Sequence, residues 1–283
     1  MPSPNVNWDD IITTTISNRS KKLSDNITNN NALLKRLEDK GKKRTADGGT
    51  KIVQELEYGE NTNFLWYSGY DTLLTAVQQT FTAAEFDWKQ CAVAVTMSGL
   101  EELQNSGAER MIDLIEARVN NAEKTMRNRM AAAIYGDGTA SSGKAIGGLA
   151  LLVGDTGGGV VGGIDSATWT FWKNQAFDAT TDGGAPASAT NMLTYMNSMW
   201  LKLVRGTDRP DLICADNAYY TAYWSALLPN QRFTSPDMAQ AGFESLKYMS
   251  ADVVFDGGIG GACPVNHMYF LGAANDNKVS LAA

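Results

Sequence analysis

One run constrains this chain more than any other. Met111, Ile115, Val119, Ala122, Met126, Met130 and Ala133 recur at spacings of three and four, the period that puts side chains on one face of an α-helix. Ser106-Gly107-Ala108-Glu109 opens the run as a capping box, and Gly136-Asp137-Gly138 closes it. The pattern predicts an amphipathic helix over about 108–135, on the order of 40 Å long. Its other face carries Arg118, Asn121, Lys124, Arg127 and Asn128 and is predicted to meet solvent. A Met and Ile stripe of this kind predicts burial in a core rather than contact with a cofactor.

Before this helix the period is two. Ile52, Leu56 and Tyr58 alternate with Val53, Glu55 and Glu57, Gly59-Glu60-Asn61 offers a turn, and Phe64 to Tyr70 reads as a second, aromatic-rich strand. Together they predict a hairpin. A lone hairpin is marginal in water, so this one is expected to pack on its own core or on a partner. Phe86, Trp88, Cys91, Val93 and Val95 predict a further strand, and Ser98-Gly99-Leu100-Glu101 is a capping box opening a short helix.

After the long helix, Thr139 to Gly163 is Gly-rich and reads as loops around a short strand at Leu151–Val153. Asp165 to Gly184 reads as an ordered surface segment containing Trp169, Phe171 and Trp172. Thr190 is a candidate cap for a helix with Met192, Met196, Met199, Trp200 and Leu203. Leu212–Cys214 is a short buried strand, and Asp216 caps a helix carrying Tyr219, Tyr220, Tyr223 and Leu227, stopped by Pro229. Val253–Phe255 and Met268–Leu271 are late strands joined by a Gly-rich loop. Strands and helices mix without regular alternation and without an internal repeat, an α+β pattern.

Charge divides the chain. Residues 1–50 hold nine Lys+Arg and six Asp+Glu, a net of +3, and the rest holds fifteen and twenty-five, a net of −10, within an overall −7. That overall balance argues against a dedicated nucleic-acid binder. The basic excess sits in Lys35, Arg36, Lys40, Lys42, Lys43 and Arg44. It reads either as a solvated helix end and linker or as an arm that contacts an acidic neighbour or packaged DNA. The segment Asn7 to Gly41 predicts two short helices, one with Ile11, Ile12 and Ile16, the other with Leu33, Leu34 and Leu37 ending at Gly41. It has few apolar residues for its length and is expected to lie on something else. Three dispersed cysteines, Cys91, Cys214 and Cys263, and no signal-type segment fit a reducing cytoplasm. No apolar run is long enough to cross a bilayer.

Catalytic constellations are hard to assemble from these residues. His267 is the sole histidine, no Gly-x-Ser-x-Gly elbow occurs, and one His with three scattered Cys does not suggest a zinc site. Gly258-Ile259-Gly260-Gly261-Ala262-Cys263 follows a strand like a dinucleotide fingerprint, but Cys263 holds the third glycine position and Pro264 follows, so a turn between strands is the better reading. Asp9-Asp10 and Glu101-Glu102 are sequence neighbours, which do not face each other on a helix. The expectation is no catalytic residue, no cofactor and no metal.

The order of several weak motifs resembles tailed-bacteriophage major capsid proteins. They are Gly48-Gly49-Thr50-Lys51-Ile52 with Trp66-Tyr67-Ser68-Gly69-Tyr70, then Ala84-Glu85-Phe86-Asp87-Trp88-Lys89, then Asn105-Ser106-Gly107 before the long helix, then Gly148-Leu149. Asp211-Leu212-Ile213 with Asp216, and Asp252-Val253-Val254-Phe255-Asp256-Gly257 before Met268-Tyr269-Phe270-Leu271, continue the likeness over roughly Asn7 to Leu271. The resemblance implies the Johnson fold, also called the Hong Kong phage-type capsid fold. It divides the chain into an N-terminal arm (1–47), an extended β-hairpin loop (48–82), a peripheral domain (83–188) with the spine helix, an axial domain (189–261) and a return strand of the peripheral domain (262–283). Relatives continue several tens of residues past this point, so it implies a shortened C-terminal part.

By the same resemblance the function is that of a structural subunit, self-assembling through pentamers and hexamers into an icosahedral head around phage DNA, with non-specific contact to that DNA and none to membrane. Location would be the virion capsid after synthesis in the bacterial host cytoplasm. Inter-subunit contacts are expected at Lys51, Glu55, Tyr58, Trp66, Tyr67, Tyr70, Arg36 and Lys43. A shell protein of a cellular nanocompartment with the same fold is the alternative, and a soluble enzyme using carboxylates and tyrosines is a third.

Overall fold

A computed structural model describes residues 32–41, 48–104, 114–227, 246–258, 260–272 and 281–282. The described residues fall into two compact units, one within Val93–Met126 and one made from Asn29–Ala92 and Arg127–Ala283.

The second unit is built on a five-stranded sheet in the order β6 (Leu246–Tyr248), β7 (Ala251–Phe255), β5 (Leu212–Ala215), β8 (Met268–Leu271) and β9 (Leu281–Ala282). β5 runs parallel to β7 and antiparallel to β8. All four residues of β5 and of β8 are buried, as a strand covered on both faces requires. The period of two sorts them cleanly. Ile213, Ala215, Met268 and Phe270 join one core with Met192, Met196, Met199, Trp200 and Leu203 of α5 (Met192–Leu203) and Tyr223 of α6 (Asn217–Leu227). Leu212, Cys214, Tyr269 and Leu271 join the other, with Leu33, Tyr135, Leu149 and Val153.

Several sequence expectations hold in this unit. The α5 stripe buries as the five residues named for it, and β5, β7 and β8 fall where the apolar runs place them. Asp216 caps α6, its Oδ1 accepting the Tyr219 N–H at 2.9 Å, while Oδ2 accepts the Asn266 N–H at 2.7 Å. The expected cap of α5 shifts by one residue: the N-terminal flanking position is Asn191, whose Oδ1 accepts the Ser188 N–H at 2.6 Å. Pro229, the expected stop of α6, lies outside the described residues.

Other expectations are corrected. Leu151–Val153 is not a strand: Leu149–Leu152 forms one helical turn, α4. Four apolar residues fit either state, and here the turn starts at Gly148, whose N–H is donated to Gly136 O at 2.8 Å. A Cβ on Gly148 would stand 2.1 Å from the Ile134 carbonyl oxygen. Gly148→Ala therefore forces backbone apart and is expected to cost about 2–4 kcal/mol, at the upper end of ordinary overpacking, read as a lowered denaturant midpoint. Met268–Leu271 pairs with β5, inside the same sheet.

The arm expectation also changes. α1 (Ala32–Asp39) ends at Gly41, in the left-handed region as a helix stop of this kind requires. Leu33 is 1% exposed and sits in the second core with Tyr135, Leu149 and Leu271. Lys40 Nζ pairs with Asp211 at 2.5 Å. From Ala32 onward the presumed arm is part of the subunit's own core. Asn7 to Asn31, with Ile11, Ile12 and Ile16, lie outside the described residues, as do Lys42, Lys43 and Arg44.

The long helix, α3, is described over Leu114–Ile134, about 30 Å at ~1.5 Å per residue, and stops where the glycines predicted. Its opening capping box at Ser106 and Met111 lie outside the described residues. Its apolar stripe does not behave as a core: Ile115 is 51% exposed, and Val119, Met126 and Met130 are exposed too. Periodicity says that one face is apolar; it does not say that this chain covers it. In the first unit, the expected capping box of α2 (Gly99–Gln104) is formed in both directions, Glu101 N–H to Ser98 Oγ at 3.3 Å and Ser98 N–H to Glu101 Oε2 at 3.1 Å.

Candidate assembly surfaces

The hairpin exists with a different second strand. β1 (Ile52–Glu57) pairs antiparallel with β2 (Phe81–Phe86), in the register Ile52 to Phe86 and Glu57 to Phe81. Phe64 to Tyr70 lies in the connection between them and forms no strand, and neither does the segment after Trp88. Aromatic β-propensity suggested the strand, but no ladder partner stands opposite it.

Its base is fastened within the second unit. Ala84 is wholly buried, and the Glu85 N–H is donated to Gly162 O at 3.0 Å. Gly162 and Gly163 make a two-residue turn between β3 (Val160–Val161) and β4 (Ile164–Asp165), both with positive φ, the demand of a tight hairpin turn. A Cβ on Gly162 would meet that of Ala84 at 2.8 Å, so glycine here permits the close approach. Trp88 Nε1 donates to Gly49 O at 2.9 Å, and Lys51 bridges to Glu85 at 2.7 Å. The Glu85 carboxylate holds the Lys51 ammonium above its ordinary range. Tyr58 stacks on Phe171 at 5.4 Å between ring centres and meets Trp169 edge-on at 5.5 Å.

The connection is ordered by its own polar contacts. Asn63 Nδ2 donates to Ala76 O at 2.7 Å, Tyr58 N–H to Thr80 O at 2.9 Å, and Ser68 N–H to Asp71 Oδ2 at 2.7 Å. Yet its apolar side chains face water: Trp66 is 90% exposed and Val77 97%, with Phe64, Tyr67, Tyr70, Leu73, Leu74 and Phe81 also exposed. Scattered surface apolar residues need no explanation, whereas this many in one short stretch marks an interaction surface.

The structure gathers six of the eight expected contact residues on this hairpin. Lys51 and Glu55 are exposed on its stem, Tyr58 is half-buried at its foot, and Trp66, Tyr67 and Tyr70 project from the connection. Arg36 stands apart, half-buried on α1. Lys43 lies outside the described residues. Sequence reading missed Leu73, Leu74, Val77 and Phe81 as part of the same surface. Their signal was a run of large apolar residues without helical or strand period.

Elsewhere, polar groups are committed to structure. In the first unit an open groove of about 580 Å³ is lined by Val93, Thr96, Met97, Glu101, Arg118 and Asn121, among others. Arg118 forks onto Glu101 with two bonds of 3.0 Å and donates to Thr96 O at 2.6 Å. That guanidinium holds the Glu101 carboxyl at about 2, a charge clamp rather than a proton-transfer group. In the second unit, His267 faces Asp155 at 3.2 Å and Val265 O at 2.8 Å. Gly257, Gly258 and Gly260 to Cys263 lie between β7 and β8, with Gly261 closely packed on the Gly257 backbone. Burial pushes the Cys214 thiol up to about 12 and raises Cys263 further, leaving both as unreactive thiols. Among the described residues no cluster of His, Cys, Asp and Glu could hold a metal, and no helix is long and apolar enough to cross a membrane.

The chain is similar in fold to a chain of the cyanophage A-1(L) capsid asymmetric unit, with a TM-score of 0.53 over 79% of this chain and 67% of that one. The fold is phage-capsid-like. Sequence identity to that capsid chain is 19%, so the likeness is one of fold. No protein-family model and no curated protein sequence matches the chain. Among the described residues, the sheet and its two cores bury themselves, and the hairpin connection and the α3 stripe are among the apolar parts left exposed.

Proposed function

We propose that this protein is a major capsid subunit that self-assembles into an icosahedral head enclosing phage DNA. The observation that carries the reading is the hairpin connection, residues 58–80: anchored at its base, ordered by its own hydrogen bonds, and lined with exposed aromatic residues that no other described residue covers. A protein that only needed to be soluble would not keep Trp66 and Val77 in water. The occupant is another copy, because one surface repeated around a closed ring or shell is covered everywhere once the ring closes. Lys51, Glu55, Tyr58, Trp66, Tyr67 and Tyr70 would form the contact, with Arg36 and Lys43 as basic contributors to it. The capsid-like fold supports this reading.

In finer terms, the subunit has the Johnson organisation of arm, extended loop, peripheral and axial domains, and it works without catalytic turnover. Sedimentation velocity of the purified chain at rising concentration, with its content analysed, tests the function. Species of five or six copies, or larger shells, with nucleic acid inside are expected. Shells loaded with a protein cargo instead would indicate a nanocompartment, and a strict monomer at high concentration and moderate salt would contradict both.

A further inference from the structure

Three parts of the second unit meet at one carboxyl group. Asp256 directly follows β7 and is 1% exposed. Tyr135, next to the end of α3, donates its hydroxyl to Asp256 Oδ2 at 2.6 Å, and among the described residues Oδ1 has no hydrogen-bond partner. The first N–H groups of α1, those of Ala32 and Leu33, bear on the same carboxyl, and Leu33 lies in one core with Tyr135. Cys214 of β5 and Cys263 of the following turn face it as neutral thiols. Arg36 and Lys40 of α1 reach the same neighbourhood through Cys214, and Lys40 is already paired with Asp211.

We propose that Asp256 is a latch for α1, closing the seam between α1 and the sheet while it carries its proton and driving α1 away when it gives that proton to water. A carboxylate sealed from water with one oxygen unpaired is costly, and hydration relieves that cost only if some element moves. β7 is hydrogen-bonded on both sides within the sheet, and Tyr135 adjoins a helix of 21 residues. α1 has eight residues and a single fully buried side chain, Leu33, so it is the piece that yields.

The direction follows from the balance at the carboxyl. Burial disfavours its charge most, the Tyr135 hydroxyl and the two α1 N–H groups favour it less, and the net result lies above the usual carboxylate range. Between about 4 and that raised value, the docked state binds more protons than the undocked one. Docking of α1 is therefore fully supported below about pH 4, weakens as the pH climbs through this window, and is level above it. Each unit by which docking raises the carboxyl is a tenfold change in the opening of α1.

The test is hydrogen exchange of the Ala32–Asp39 amides in the full chain from pH 4 to 8, each rate divided by the unstructured rate at that pH. The expected result is an opening constant that rises with pH, by up to about tenfold per unit at its steepest, while the α5 amides show no such rise. Asp256→Asn should abolish the slope and keep α1 protected throughout. Tyr135→Phe removes a donor that favours the charged form, so it should extend the rise to higher pH, and it decides the matter if the Asn variant does not fold. A flat profile in the native protein, a slope that survives Asp256→Asn, or a profile unmoved by Tyr135→Phe would overturn the latch. So would a slope of opposite sign.

Discussion

Replacing Trp66, Tyr67 and Tyr70 together with serine is expected to leave the subunit folded and to abolish its assembly. All three side chains are exposed within the chain, so folding loses little, within about 0.5 kcal/mol each. At a closed interface the account is different. Buried aromatic anchors commonly carry about 2–4 kcal/mol each, and losing one weakens association by roughly 30-fold to 1000-fold. The values are not additive, but the loss of three exceeds what a shell made of many weak contacts tolerates. Light scattering reads assembly and a thermal melt reads folding. Unchanged assembly, or a variant that no longer folds, would show that the hairpin surface is not the contact.

Replacing Leu33 with alanine should have the opposite signature. This side chain is fully buried in the core that holds Tyr135, Leu149 and Leu271, so its truncation should cost about 2–5 kcal/mol. At roughly 2–4 °C per kcal/mol the melting temperature should fall by about 5–15 °C. Removal of residues 1–41 should be worse, since it also breaks the Lys40–Asp211 pair. A truncation that stays as stable as the full chain would restore the picture of residues 1–47 as a peripheral arm. A milder outcome is expected for Tyr135→Phe at neutral pH, about 1–3 kcal/mol for the buried donor lost to Asp256.

What was readable in the sequence was whatever has a short-range physical cause. The α5 stripe, the Asp216 cap and the Ser98–Glu101 box are decided within four residues, and all three form. β5 was readable because a strand buried on both faces is simply apolar. The strand pairing was not readable. Gly59 looked like a turn, yet β1 finds its partner at Phe81–Phe86, beyond an ordered connection that aromatic propensity disguised as a strand. Leu33 was readable as the apolar side of a short helix, but its place in the subunit's own core was not, because α1 has too few apolar residues to look like core. The α3 stripe shows the converse: helical period identified the apolar face, and only the folded chain shows that the face stays exposed. For the contact surface, the residues were readable as aromatic; their exposure was not.

The central claim is that this fold completes itself by repetition. Electron microscopy of the purified full-length chain, imaged at assembling concentration, tests it most directly. The account predicts closed shells, or rings of five and six copies, in which the hairpin connection of one subunit lies on the next. A uniform field of single subunits at that concentration, with the hairpin still in solvent, would contradict it.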